Sequence, residues 1–330
     1  MRHKNSVCHD LLKRVPWSAF DRLVDEHAAD KHVRRLSTKS QFIALLYGQL
    51  AGAVSLRRSV GEATYLIDAT GIRLSGAGAQ WARFSHQACG AKVHVVYDAH
   101  AERPIYAAVT PANVNDITAA KAMPIEPGAT YVFDLGYYDF GWWAKMDKAG
   151  CRIVTRFKSH TPLAVTRELA VAPDGPILSD RIGLLPPRQA RNRKKPFSDP
   201  VREIAVRTET GKILRLLSND LDAPAQEIAD LYKRRWAIEL FFRWVKQTLK
   251  IRHFLGNSEN AVRIQIAVAL IAYLILRLAM ADQKAVPGPL AFARLVRCNL
   301  MHRRAIDQLR KPPPDKPAHQ NQLAFQWTEI

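Results

Sequence analysis

The sequence predicts an α/β protein carrying a β-rich insertion, on three observations. Between residues 63 and 156, short apolar runs alternate with helical stretches, the texture of a sheet with helices packed on it. From about 160 to 222 this gives way to Pro- and Arg-rich sequence with short β-like runs. Long helical patterns return at 225–250 and 261–281.

Taken in order, residues 1–55 read as three short helices, at 9–14, 18–27 and 41–50. Phe42, Leu45, Leu46 and Leu50 fall at helical spacing in the third. Thr38 and Gln41 have the spacing of a capping box. Such a basic unit fits a helix-turn-helix-like DNA reader and a plain three-helix bundle equally well. Past Gly61, residues 63–68 form an apolar strand ending on Asp68. Strands at 92–97 and 105–109 pair through a turn at 98–104. A helix at 117–123 precedes a second apolar strand, 129–134, ending on Asp134. A helix at 140–149, closed by Gly150, leads to a strand at 152–156. Inside the insertion, 202–206 and 213–217 read as strands. A last helix at 290–309 precedes a Pro-rich tail expected to be disordered.

Composition narrows the class. The 330 residues, 48% hydrophobic, exclude a disordered chain or a collagen-like repeat. The four cysteines (Cys8, Cys89, Cys151, Cys298) are far apart with no C-x-x-C pair. They suit a reducing cytoplasm better than a disulfide framework or zinc knuckle. The N-terminus has no apolar signal core. The most apolar run, 266–276, is bracketed by Gln265 and Arg277 and falls short of the roughly 18 residues of a span, so it reads as a buried core helix with no membrane partner.

Net charge is +19. It comes in blocks: 11 Lys/Arg against 5 acids in residues 1–60, 7 against Glu239 alone in 232–252, 8 against 2 in 284–317, and 6 against Asp199 in 181–200. One solvated face explains any one block; four separated blocks suit a long polyanion held at several phosphates.

Two strand-end carboxylates are the strongest chemical clue. In open α/β sheets, ligands gather beyond the carboxyl ends of strands. If their strands are neighbours, Asp68 and Asp134 meet at one edge, where like charges call for a cation. Oxygen-only ligands suit Mg²⁺ or Mn²⁺. Asp139 and Asp116 read as helix N-caps, Asp98 as a turn residue and His94 as a structural histidine. The third element is the stretch 232–246. On one helix, Tyr232, Arg235, Glu239, Phe242/Arg243 and Lys246 share a face, while Ala237, Leu240, Phe241, Trp244 and Val245 pack. An Arg235–Glu239 pair on a solvated face is the simpler account. Seven cations around one acid suit phosphates beside a metal better than they suit salt bridges. Three carboxylates binding two metal ions would activate water or a DNA 3′-hydroxyl for in-line attack on a phosphodiester.

Tyr-x2-Arg-x3-Glu-x6-Lys, met at Tyr232, Arg235, Glu239 and Lys246, resembles the signature of the IS-four type of bacterial insertion-sequence DDE transposases. LIDAT at 66–70, VFDLGYYD at 132–139 and the opening MRHKNSVCHDLLKRVPW are similar to that family's two Asp motifs and N-terminal DNA-binding region. The resemblance implies a ribonuclease H-like, integrase-like core with Asp68, Asp134 and Glu239 as the metal-binding catalytic triad, holding two Mg²⁺ or Mn²⁺ ions. It implies Tyr232, Arg235 and Lys246, with Arg243 beside them, as contacts to DNA. It implies double-stranded DNA partners, both terminal inverted repeats and target, bound by a homodimer on paired ends in the bacterial cytoplasm, at the nucleoid.

The expected organisation is a helical DNA-binding region at 1–58, core at 59–159, insertion at 160–222, core helices at 223–283 and a basic tail at 284–330. The family pattern has several dozen further residues before the first catalytic strand, so residues 55–61 mark an apparent internal deletion. The insertion has no Trp, leaving Phe197 its one aromatic to stack on a flipped base. Cut-and-paste transposition is the leading reading. A decayed copy that binds DNA without productive transposition, and a structure-selective nuclease of the same fold, are the alternatives.

Overall fold

The computed structural model describes residues 7–31, 37–49, 63–185, 197–248, 254–281 and 289–300. The junction at 55–61, the basic run 188–195 and the chain after 300 lie outside them.

Strand β1 (Thr64–Leu74) organises the sheet. Its first four residues are buried, as in a central strand covered on both faces. From Thr70 it alternates, with Thr70, Ile72 and Leu74 buried and Gly71 and Arg73 exposed. That alternation sustains the strand six residues past Asp68, so Asp68 lies within β1 instead of ending it, a correction to the reading from sequence. Antiparallel β2 (Cys89–Asp98) pairs β1 along this whole length, and β3 (Arg103–Pro111) pairs β2. On the other side of β1, β4 (Thr130–Phe133) and then β5 (Arg152–Arg156) run parallel.

The β-rich stretch supplies β6 (Ala164–Leu169), β7 (Ile177–Leu184), β8 (Val201–Arg207) and β9 (Ile213–Ser218). They extend the same sheet through β5–β9 pairing. The nine strands run in the order β3-β2-β1-β4-β5-β9-β8-β7-β6.

Helices cover both faces. Leu66, Val93, Val95 and Val132 pack with α3 (Thr38–Gln49), α7 (Trp236–Thr248) and α8 (Glu259–Ala281). Ile67, Tyr131 and Phe133 pack with Trp142, Trp143 and Met146 of α5 (Phe140–Lys148). Asp139 caps α5 as expected, accepting from Trp142 N at 2.8 Å, and Gly150 follows it at φ +71°, where a side chain would be strained. The remaining helices are α1 (Val7–Leu12), α2 (Trp17–Glu26), α4 (Asp116–Ala120), α6 (Ala225–Arg234) and α9 (Pro289–Asn299). Among the described residues α8 alone is long and apolar enough to cross a membrane. Its Val262, Ile266, Ala269, Ala272 and Leu276 are buried in the core, as expected for the apolar run.

Three local readings are corrected. Thr38 begins α3, and its amide and hydroxyl both donate to Asp30 Oδ1 at 2.6 Å, so a distant carboxylate does the capping. Asn115, not Asp116, stands at the N-cap of α4. Phe197 is 1% exposed and packs with Tyr137 and Trp143, so its ring has no free face for a base.

Candidate active site

The parallel register of β1 and β4 pairs Ile67 with Phe133. One step further along each chain stand Asp68 and Asp134, so the two carboxylates emerge side by side at the end of β4. Asp134 turns the chain: its Oδ1 accepts from Gly136 N at 2.8 Å, opening a short 3-10 turn at Leu135–Tyr137. Trp143 Nε1 donates to Tyr137 O at 3.1 Å, tying that turn to α5.

The third acid comes from the helical pair α6 and α7. The expected single helix is broken at Arg235, where Arg235 N bonds Tyr232 O at 3.1 Å and Ile238 N bonds Arg235 O at 3.2 Å, the i,i+3 spacing of a tight turn. The motif is thus split: Tyr232 on α6, Arg235 at the break, Glu239 and Lys246 on α7. The Arg235 guanidinium donates to Glu239 Oε1 and lies 3.4 Å from Asp68 Oδ2, spanning the two carboxylates. It also lies over the buried Tyr232 ring, at 5.7 Å.

Electrostatics follow from this crowding. Burial pushes the Asp68 carboxyl up to about 6, against the pull of the Ala69 amide and Arg235. The charges of Asp134 and Glu239 contribute to the same rise. Burial works against the charge on Arg235, but Tyr232, Glu239 and Asp68 raise its pKa overall.

Not every expected residue joins the acids. Arg243 is exposed and stacks over Trp236, 5.7 Å from the ring centroid. Lys246 lines a cavity beside Gly71 and Arg73. The packing face of α7 is corrected: Ile238, Phe241, Phe242 and Val245 are buried, whereas Leu240 is 46% exposed. Two neighbours were missed. Asp116, held by Lys92 Nζ at 2.9 Å, faces Asp134 across Gly136. A Cβ on that glycine would sit 3.0 Å from Asp134 Oδ1 and 3.4 Å from Asp116 Oδ2. The Tyr137 hydroxyl is buried with no partner among the described residues, and burial, then the charges of Asp68, Asp116 and Asp134, raise its pKa. Tyr137 sits in the VFDLGYYD stretch, three residues from Asp134, whereas Asp116 reaches the site from α4 through Lys92 of β2, a contact that no local pattern reports.

Asp68, Asp134 and Glu239 offer only hard oxygen donors, the set that Mg²⁺ or Mn²⁺ takes. Among the described residues no three acidic, His or Cys side chains converge closely enough to hold an ion as they stand. The Arg235 guanidinium occupies the place of a cation between two of them. The donor chemistry fits a divalent ion, with Arg235 as its present stand-in.

Fold and site together define a mixed α/β protein in which carboxylates on neighbouring interior strands face a basic helix. Residues 61–275 match the transposase DDE domain family, and the chain belongs to that family. Residues 3–63 match a domain of unknown function (DUF4372). A Sinorhizobium fredii protein described as a transposase, y4zB, is 41% identical over 295 residues, covering 88% of this chain and 81% of its own length. A Geobacillus stearothermophilus protein described as a transposase for insertion sequence element IS5377 is 28% identical over 64% of this chain and 55% of its own. Among solved structures, a piggyBac transposase synaptic complex with hairpin DNA aligns at TM-score 0.42 and 12% identity, over 68% of this chain and 48% of that one.

Proposed function

We propose that the chain is an insertion-sequence transposase that hydrolyses DNA at transposon ends and transfers the strand by cut-and-paste transposition. The observation that carries this is the side-by-side placement of Asp68 and Asp134 on β1 and β4, with Glu239 brought opposite through Arg235. The order β3-β2-β1-β4-β5, with β2 antiparallel, supports a ribonuclease H-like core.

In this reading Asp68, Asp134 and Glu239 would hold two divalent ions, Mg²⁺ or Mn²⁺, which would supply Lewis-acid activation of the attacking oxygen. The chain's own groups do the rest. The amides of Ala69 and Gly136 fix the two aspartates through bonds of 2.8 Å. With a divalent ion supplying the positive charge there, Arg235 would be free to hold a DNA phosphate. Tyr232, Lys246 and Arg243 extend the phosphate contacts along α6 and α7. Water attacks the end phosphorus, breaking its bond to the 3′-oxygen, which leaves as a 3′-hydroxyl. That hydroxyl then attacks a target phosphodiester and displaces its 3′-oxygen.

The helices at 7–49 serve as part of a DNA-binding region, and two copies pair two ends in the bacterial cytoplasm, at the nucleoid. A relative 41% identical over most of both chains speaks against a decayed copy. A simple nuclease would give cleavage without joined product. The test is Glu239→Gln: end cleavage in Mg²⁺ or Mn²⁺ is lost while DNA binding stays, and full cleavage by that variant sinks the reading.

A further inference from the structure

Asp116 opens α4, in the connection between β3 and β4, and α4 packs on the 3-10 turn that follows Asp134. Its two carboxylate oxygens are used differently. Oδ1 accepts from Lys92 Nζ at 2.9 Å, and the same ammonium donates to Val114 O at 3.0 Å, so β2 fixes both the carboxylate and the loop before it. The buried His94 Nδ1 lies 3.8 Å from Oδ1 as well. Among the described residues no donor bonds Oδ2. That oxygen lies 3.4 Å from the point where a Cβ on Gly136 would sit, and Asp134 Oδ1 lies 3.0 Å from the same point. The glycine thus keeps clear of side chain a position flanked by two carboxylate oxygens.

We propose that Asp116 is a positioning residue for divalent-ion binding, its Oδ2 accepting a hydrogen bond from a water carried by an ion on Asp134. The proposal rests on the metal-site reading of Asp68, Asp134 and Glu239 above and adds a residue to it.

The donor chemistry favours contact through water. Mg²⁺ sheds its hydration shell reluctantly and keeps several waters in protein sites. A water on such an ion has both protons to donate, so it needs acceptors around it. Asp134 Oδ1 and Asp116 Oδ2 are two acceptors facing one position, with Lys92 on the far oxygen of Asp116. Among the described residues no three acids converge closely enough to hold an ion directly, which suits a carboxylate acting at one remove. The Asp116 side chain is 29% exposed, so water has access to it. A second polar group points to the same place. The buried Tyr137 hydroxyl has no partner among the described residues and lies in the field of Asp68, Asp116 and Asp134. Groups that hold a metal's ligands and waters from behind count for about 10- to 100-fold in metal affinity.

The test titrates Mn²⁺ into the full chain without DNA and reads free Mn²⁺ by electron paramagnetic resonance, with a thermal unfolding midpoint in EDTA for each variant. Asp116→Asn keeps the shape of the side chain and removes its charge. Its Mn²⁺ affinity should fall about 10- to 100-fold at a nearly unchanged midpoint. Asp139→Asn removes another carboxylate near Asp134 while Asn still caps α5, and should bind Mn²⁺ as wild type does. Wild-type affinity in Asp116→Asn, or an equal loss in Asp139→Asn, overturns the proposal. An Asp116→Asn protein that unfolds or melts well below wild type assigns Asp116 to the fold and overturns it too. A wild type that takes up no Mn²⁺ overturns the metal-site reading itself, and this proposal with it.

Discussion

Replacing Asp68 by Asn should stabilise the metal-free protein above about pH 6, because this carboxylate is held where its charge is unwelcome. Its folded pKa is raised from the ordinary 3.8 to about 6. Between those values the folded state binds more protons than the unfolded state, so the contribution of Asp68 to stability falls as pH rises. A rise of about two units corresponds to roughly 3 kcal/mol of destabilisation once the pH exceeds 6. The side chain is only 20% exposed, so solvent screening reduces this little. Losing the 3.4 Å contact to Arg235 takes back part of the gain. Urea unfolding in EDTA should therefore give equal stability for wild type and Asp68→Asn near pH 4. The variant should lead by about 1–3 kcal/mol at pH 8. Added Mg²⁺ or Mn²⁺ should narrow the gap by stabilising the wild type. Parallel stability curves from pH 4 to 8 would refute the claim that buried like charge defines this site.

Other perturbations isolate other parts of the account. Gly136→Ala should displace Asp134, since the new Cβ meets its Oδ1 at 3.0 Å, and should lower cleavage at nearly unchanged thermal midpoint. Trp143→Ala removes a fully buried ring and the tie to Tyr137, and should cost about 3–5 kcal/mol in urea unfolding. Lys246→Ala should weaken DNA binding and flatten the salt dependence of log K by about one unit of slope. Arg202→Met leaves Asp180 buried without its bidentate partner at 2.7–2.8 Å and should cost about 3–5 kcal/mol.

The two aspartates were legible because each follows an apolar run of strand character, and the parallel register that starts at Thr64 and Thr130 brings them level. Glu239 was legible through the spacing of the cations around it. The break at Arg235 was not, because helix-forming residues flank it on both sides. Its tight turn accompanies contacts with Asp68, 167 residues away. Capping by Asp30 falls outside the four-residue capping-box pattern that Thr38 and Gln41 satisfy, because the carboxylate reaches the Thr38 amide from eight residues upstream. The length of β1 was underread at its end, where Gly71 and Arg73 dilute the apolar run yet keep the alternation. Joining β9 to β5 is a non-local pairing that no short-range pattern reports, so the insertion strands were read without their place in the sheet. Phe197 shows the limit of elimination, because being the one aromatic of its stretch said nothing about its burial.

The most direct test of the central claim mixes the purified chain with a labelled duplex bearing the element's own terminal repeat, with and without Mg²⁺ or Mn²⁺. The account predicts metal-dependent cleavage at the end and a joined product when target DNA is added. Both should vanish in Asp68→Asn, Asp134→Asn and Glu239→Gln while binding persists. Cleavage that survives in any of the three, or binding with no cleavage by the wild type, would contradict it.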